Sequence, residues 1–185
     1  TKGALPGDKA PGTVKPTPLG GPDEATGLFF LAGLKGYLEP CGCTADVLLG
    51  CIERIVGYVR HAKKLYGKSL VLDGGDTFFE KKDMADHEIP QAKAQSSVIA
   101  KAHRLMGTDV TVPGERDLAL GVDVYLEKLD EAKLDAVAAN LEFSDHNDLD
   151  SYTVINWKDG GLAVVGAVSP SLYKGLDGVK TSKPV

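Results

Sequence analysis

The chain has 185 residues, of which 43% are hydrophobic and 25% are charged, and its formal net charge is −5. This composition is typical of a globular protein with one buried core. The negative net charge excludes nucleic-acid binding through bulk positive charge. The longest apolar run, residues 28–34, is far shorter than the roughly 20 residues that a transmembrane helix requires, so we expect no membrane span.

Residues 1–27 differ from the rest of the chain because they contain six glycines and five prolines. Such a segment buries too little apolar surface to offset the entropy lost on ordering, so we predict a flexible arm or tether. Three interpretations of the arm stay open. It follows a signal peptide or lipid-anchor site outside this chain, it links to a preceding domain, or it lies along a protein partner.

From residue 28 onward, short apolar runs alternate with segments of helical periodicity. The predicted strands cover residues 28–32, 69–73, 109–112 and 135–139, and the predicted helices cover residues 45–65, 91–106 and 122–132. Residues 152–157 and 162–168 flank an Asp-Gly turn signal and predict a β-hairpin. This order predicts an α/β domain over residues 28–185, with a mostly parallel sheet and flanking helices.

Three cysteines, Cys41, Cys43 and Cys51, fall within one short segment. Clustered cysteines indicate a disulfide, a thiol redox site or a soft-metal site for an ion such as Cu(I). A Cys-Gly-Cys pair can form a tight and reducible disulfide. The alternative is an incidental pair beside a buried Cys51. Because Cys51 falls on a predicted helix, it reaches the pair only if the preceding loop folds back.

Loops after the carboxyl ends of parallel strands build the functional sites of such sheets. Here those loops carry, in chain order, a Gly-Tyr-Leu-Glu-Pro segment at residues 36–40, Gly75-Asp76, Gly114 with Gly121, and Ala138-Ala139-Asn140. Their order and spacing over residues 28–169 resemble the calcineurin-like metallophosphoesterases, and in particular the periplasmic 5′-nucleotidase branch. The resemblance implies the first half of a layered α/β sandwich. The segment Glu39–Cys43 is similar to a variant group of this family found mainly in exported bacterial proteins.

The same resemblance implies a degenerate metal site. The family binds two metal ions that activate water and clamp the phosphoryl oxygens. Only Asp76 matches well, at the position of the metal-bridging carboxylate. The other family positions are the first aspartate, the first histidine, the ligand asparagine, the catalytic histidine and the following acid. These fall in that order on Gly33, Lys35, Glu115, Arg116 and Asp117.

We therefore expect no catalytic residue and no bound metal or other cofactor. None of the four histidines falls on a motif loop, and an arginine does not titrate in the range needed of a general acid. We expect His61 and His103 to be solvated near helix ends, His87 and His146 to lie at the surface, and Lys81-Lys82-Asp83 to be a solvated segment. We hypothesise that Lys35 and Arg116 form ion pairs with Asp76 and its neighbours, and so keep the loops in shape without metal. The alternative is that these side chains point to solvent.

The leading prediction is an exported, non-catalytic domain that serves as an accessory or structural subunit of a larger assembly, in the periplasm or outside the cell. A protein partner, contacted through the arm, is expected. The first alternative is a metal-dependent phosphoesterase or 5′-nucleotidase whose remaining motifs lie outside this chain, which is then a fragment rather than a naturally truncated protein. The second alternative is a thiol redox or copper-binding protein that uses Cys41 and Cys43.

Overall fold

Four parallel strands form the main sheet. The computed structural model describes residues 26–39, 52–146, 149–157 and 160–184. The strands are β1 (Thr26–Leu31), β2 (Lys68–Asp73), β3 (Val110–Thr111) and β4 (Asp135–Ala136), and their order in the sheet is the same as their order in the chain. Each neighbouring pair is parallel. The loops that follow β1, β2 and β3 therefore meet at one edge of the sheet.

Three helices connect these strands: α1 (Ile52–Lys63), α2 (Ile89–Met106) and α3 (Val122–Ala132). Helix α2 packs against both α1 and α3. It has a proline in its first turn and ends at Gly107, which adopts a left-handed φ of 61°. Both features are typical of these positions, because proline lacks an N–H and glycine tolerates positive φ. No helix within the described part of the chain is long and apolar enough to cross a bilayer.

The core lies between the sheet and the helices. Its larger cluster joins α2, α3 and the β2 loop through residues such as Phe78, Ile99, Tyr125 and Leu129. The rings of Phe78 and Tyr125 meet edge to face, with their centroids 6.2 Å apart. A second cluster packs Val59, Val71 and Met106 between α1, β2 and α2.

Two further strand pairs extend the domain. The antiparallel hairpin consists of β6 (Tyr152–Trp157) and β7 (Gly160–Val165), and β5 (Leu141–Phe143) pairs antiparallel with β8 (Val179–Thr181). A 3₁₀ helix, Pro170–Tyr173, precedes β8.

The predicted α/β class with a mostly parallel sheet and flanking helices is confirmed, and α3 has the predicted bounds. Several strands differ from prediction: β3 and β4 have two residues each, β7 starts and ends earlier, and the pair β5–β8 was not predicted. Strand β1 includes Thr26 and Gly27 of the predicted arm. Residues 1–25 lie outside the described residues, as do residues 40–51, which include part of the predicted 45–65 helix.

Candidate functional site

The first two strand-end loops are joined by backbone hydrogen bonds. The N–H of Gly33 donates to the carbonyl of Gly75 at 2.9 Å, and the N–H of Lys35 donates to the carbonyl of Asp76 at 2.8 Å. The N–H of Gly36 donates to the carbonyl of Thr77 at 2.9 Å. Three successive bonds of this kind fix the β1 loop (residues 32–39) against the β2 loop (residues 74–88) without any side chain.

A close backbone approach joins the β2 loop to the β3 loop (residues 112–121). Asp76 has a left-handed φ of 53°. A Cβ atom on Gly114 would lie 2.1 Å from the backbone nitrogen of Asp76, so only glycine fits there. The Oδ1 atom of Asp76 accepts a hydrogen bond of 3.0 Å from the N–H of Arg116. The carboxylate of Asp76, at which the resemblance predicts a metal-bridging ligand, therefore already has a backbone donor.

Asp117, in the β3 loop, also connects this loop to the β2 loop, and it is 1% exposed. Its Oδ1 accepts from the N–H groups of Thr77 at 2.7 Å and Phe78 at 2.8 Å, and its Oδ2 accepts from the N–H of Gly114 at 2.9 Å. Burial raises the pKa of Asp117 to about 7, and the three N–H donors act in the opposite direction. Asp117 thus satisfies three backbone donors, two of them buried and one partly buried, which is a structural task for this carboxylate.

Asp73, at the end of β2, holds the start of the β2 loop. Its Oδ2 accepts from the hydroxyl groups of Thr77 at 2.8 Å and Thr111 at 2.6 Å, and from the N–H of Gly75 at 3.3 Å. Asp73 was not among the predicted site residues. The sequence did contain a signal for its role. Asp73 is a carboxylate at the end of a buried strand, Thr77 follows four residues later, and Thr111 ends the next strand.

The charged groups at the rim have protein partners that differ from those expected. Lys81, Lys82 and Asp83 are exposed as expected, and Lys82 in addition has an ion-pair partner, since its Nζ lies 2.5 Å from Glu115 Oε2. The guanidinium of Arg116 donates to the carbonyl of Glu80 at 2.9 Å, and the hydroxyl of Tyr37 donates to the Glu80 carboxylate at 3.0 Å. Each of these contacts ties the β2 loop to one of the other two loops.

The hypothesis that Lys35 and Arg116 form ion pairs with Asp76 is wrong for the described residues. Both residues do contact Asp76, but through their backbone N–H groups. No ion pair of the Lys35 side chain is found within the described ranges, and the Arg116 side chain is directed to a carbonyl. The physical reason is that the loops lie close enough for backbone groups to pair directly.

Asn140, in the last motif loop, has a structural environment. Its Nδ2 donates to the carbonyls of Val168 at 2.9 Å and Ser182 at 2.8 Å, and its Oδ1 accepts from the N–H of Val168 at 2.8 Å. Both N–H groups of the Asn140 amide and one of the two lone pairs of its oxygen therefore form hydrogen bonds within the protein.

The expectation of a solvated His103 is wrong, because this residue is 1% exposed and its Nδ1 lies 3.0 Å from the hydroxyl of Thr108. Its position three and four residues from the buried Met106 and Ile99 places it on the buried stripe of α2. His61 and His87 are exposed, and so is His146, whose Nε2 lies 3.1 Å from an Asp123 carboxylate oxygen.

The residues described here do not fit a two-metal centre. Within the described ranges, no three histidine, cysteine, aspartate or glutamate side chains are grouped as a metal ion would need. The resemblance predicts metal positions at Gly33 and Lys35, and neither residue offers a suitable donor. The side chains of Cys41, Cys43 and Cys51 lie outside the described residues.

Solved structures with the same fold include nucleotidases. The 5′-nucleotidase precursor of Thermus thermophilus superposes with a TM-score of 0.69 at 18% identity over 85% of this chain. The NAD nucleotidase NadN of Haemophilus influenzae gives a TM-score of 0.70 at 16% identity over 84% of this chain. The chain has a metallophosphoesterase-like fold of the 5′-nucleotidase type. No protein-family model matches the sequence, and no curated protein matches it.

A further structure with this fold is the sulfate thiohydrolase SoxB of Thermus thermophilus, with a TM-score of 0.61 at 19% identity over 91% of this chain. The chain spans only part of each of these proteins: 32% of the Thermus nucleotidase, 29% of NadN and 40% of SoxB. At these sequence identities the structural likeness establishes the fold alone. Any activity of this chain has to be inferred from its own residues.

Proposed function

We propose that this chain is an exported, non-catalytic metallophosphoesterase-like domain that serves as an accessory or structural subunit. The main support for the proposal is that the acidic side chains at the predicted metal positions have hydrogen-bond or ion-pair partners within the protein. Asp117 accepts three backbone N–H groups, Asp76 accepts one, and Glu115 forms an ion pair with Lys82. The loops thus have protein groups where the fold's enzymes would use metal ions. Export is supported by the description of one similar nucleotidase as a precursor.

An exposed apolar face supports a protein partner. On β6 and β7, Tyr152 lies opposite Val165, and Val154 lies opposite Ala163. Residues in register share one face of the hairpin, and Tyr152, Val154 and Val165 are all more than half exposed. A contiguous apolar face of this kind is typical of a surface that packs against another polypeptide.

The first experiment combines elemental analysis with hydrolysis of a chromogenic phosphodiester and of a nucleoside 5′-monophosphate, with and without added Mn²⁺. The proposal predicts no stoichiometric metal and no Mn²⁺-dependent hydrolysis. Stoichiometric manganese, zinc or iron together with metal-dependent turnover would contradict it. One equivalent of copper would contradict it in another way and favour the thiolate site of Cys41 and Cys43.

A second experiment tests the accessory role. The tagged protein is purified from its native cells in parallel with the Val154→Asp variant and with Val98→Asp, a matched control at an exposed position of α2. We expect a stoichiometric partner that is retained by the control and lost by Val154→Asp. Recovery of the chain alone, or equal recovery of every co-purifying protein in all three samples, would contradict the accessory role.

The phosphoesterase alternative has one observation in its favour. Asp76 follows Gly75 with a left-handed φ of 53°, and among the described residues only its Oδ1 is hydrogen-bonded, so Oδ2 is left as a candidate metal ligand. If this alternative holds, metal-dependent hydrolysis appears when the missing motifs are present, and it is lost on Asp76→Asn substitution. The same assay with the full gene product therefore separates the two proposals.

A further inference from the structure

The two edges of the main sheet differ in length and in what lies beside them. At one edge, β4 has two residues, and Val137, which follows it, bridges to Asp150. At the other edge, β1 has six residues, and no strand of the described residues lies beside it. Natural edge strands are commonly protected from pairing with another chain by charged residues or proline, and the β1 sequence TGLFFL contains neither.

The backbone groups of Leu28 and Phe30 point to this outer edge. The carbonyl of Leu31 accepts a hydrogen bond of 2.8 Å from the N–H of Gly74, which follows β2. In a strand, the N–H and C=O of one residue point to the same side, and those of the next residue point to the opposite side. Phe29 and Leu31 therefore direct these groups to β2. Leu28 and Phe30 direct theirs away from it.

The same two residues have exposed apolar side chains. Leu28 is 65% exposed and Phe30 is 68% exposed. Phe29 and Leu31 lie on the opposite face of β1, where they pack against the second core cluster. Leu28 and Phe30 thus combine open backbone donors and acceptors with large apolar side chains. This combination fits another β-strand, whose backbone pairs with the edge while its side chains cover the apolar groups.

The spacing of Leu28 and Phe30 makes this edge complementary to itself. When a second β1 lies antiparallel, with Phe29 at the twofold axis, Leu28 of each copy lies opposite Phe30 of the other. Since both residues direct their backbone groups outward, each such pair exchanges both of its N–H···O=C bonds. An aliphatic side chain then lies beside an aromatic ring on one face of the joined sheet, a favourable cross-strand pair.

We propose that two copies of this chain form a dimer by antiparallel pairing of their β1 edges, which joins the two four-stranded sheets into one. A second copy fits better than an unrelated strand because β1 presents no charge that would select a partner of opposite charge. One twofold rotation also pairs the open edges of both copies and closes the assembly. The proposal goes beyond the accessory role and does not depend on it, because it rests on β1 alone.

The first test is sedimentation equilibrium of the wild-type chain and of the variants Phe30→Lys and Leu105→Lys. Lysine is a residue that protects natural edge strands, and in the dimer it would lie beside an apolar side chain. Leu105 is 58% exposed on α2 and serves as the matched control. We expect a monomer–dimer equilibrium in the wild type and the control, with a dissociation constant at least tenfold higher in Phe30→Lys. A monomeric wild type at every concentration, or equal dissociation constants in all three chains, would overturn the proposal.

The second test is hydrogen exchange of single backbone amides followed by NMR, which identifies the edge that pairs. We expect the Leu28 amide to exchange slowly in the wild-type dimer and at least tenfold faster in Phe30→Lys. The amides of Phe29 and Leu31, which point to β2, should exchange alike in both proteins. If Phe30→Lys does not fold, Leu28→Lys replaces it in the sedimentation measurement, and the exchange of Leu28 and Phe30 is measured in the wild type.

Two results of the exchange experiment would contradict β1 pairing. Fast exchange of the Leu28 and Phe30 amides in a dimeric wild type would mean that the copies meet at another surface. Slow exchange of these amides in a monomeric wild type would mean that another segment of the same chain covers the edge. Either result overturns the proposal.

Discussion

The amide of Asn140 holds the end of the described chain against the sheet, and its removal should cost much more than the loss of a surface residue. Asn140→Ala removes three hydrogen bonds, two to Val168 and one to Ser182. At about 1 kcal/mol for each bond, the free energy of unfolding should fall by roughly 3 kcal/mol. Ser182 follows β8, so we expect the β5–β8 pair to loosen as well.

Asn140→Asp sharpens this prediction because the size of the side chain is unchanged. The carboxylate can still accept from the N–H of Val168, but its other oxygen faces the two carbonyl oxygens that Nδ2 now contacts. The site also is 5% exposed, and burial raises the pKa of an introduced carboxyl group. The folded state then binds its proton more tightly than the unfolded state does, so the variant should lose further stability as the pH rises.

The assay is urea unfolding followed by far-UV circular dichroism, with Asn156→Ala as the matched control. Asn156 is exposed on β6, and its substitution should change the free energy of unfolding by no more than about 0.5 kcal/mol. If Asn140→Ala equals this control, or if Asn140→Asp is as stable as the wild type near neutral pH, the structural role assigned to Asn140 is refuted.

Three further predictions concern the strand-end loops and a helix. Because the folded-state pKa of Asp117 is raised to about 7, its contribution to stability is greatest below about pH 4 and falls by up to roughly 4 kcal/mol as the pH rises to about 7. A urea-unfolding series against pH should show this slope in the wild type and not in Asp117→Asn; parallel profiles would contradict it. Gly114→Ala should prevent stable folding, since its Cβ would lie 2.1 Å from a backbone nitrogen, whereas Gly57→Ala on α1 meets no atom within 4 Å and should stabilise by about 0.5–1 kcal/mol. Thermal unfolding measures both, and a well-folded Gly114→Ala variant would refute the close approach. The Lys82–Glu115 pair, which is partly exposed, should give a coupling energy of roughly 0.5–1 kcal/mol in a double-mutant cycle, and the coupling should fall at high salt. A coupling that does not depend on salt would contradict a simple ion pair.

The fold was predictable where local pattern and tertiary structure agree. Helix α3 begins and ends as predicted. Its apolar stripe is the face that is buried in the core, and Gly121 immediately precedes its first residue. The β6 strand also has its predicted bounds. The β5–β8 pair was not predictable, since each strand has three residues and the partners are separated by more than thirty residues. Pairing over such a distance leaves no local signal in a single sequence.

The location of the candidate site was predictable from the sequence, but the hydrogen-bond partners of its residues were not. The motif loops meet at one sheet edge as the parallel topology requires. The partners differed because backbone groups took the place of the expected cations around Asp76. The burial of His103 had a signal, the stripe it shares with Ile99 and Met106, but its location near the end of α2 was given more weight.

We propose that protein contacts, rather than metal ions, hold the strand-end loops together. The test is thermal unfolding in excess EDTA and in about 1 mM Mn²⁺. A site with a Kd of about 1 μM would add roughly 4 kcal/mol to the free energy of unfolding. For a chain of 185 residues that corresponds to a rise in Tm of about 8–16 °C. We predict the same Tm in both conditions, and a rise of this size in Mn²⁺ would contradict the account.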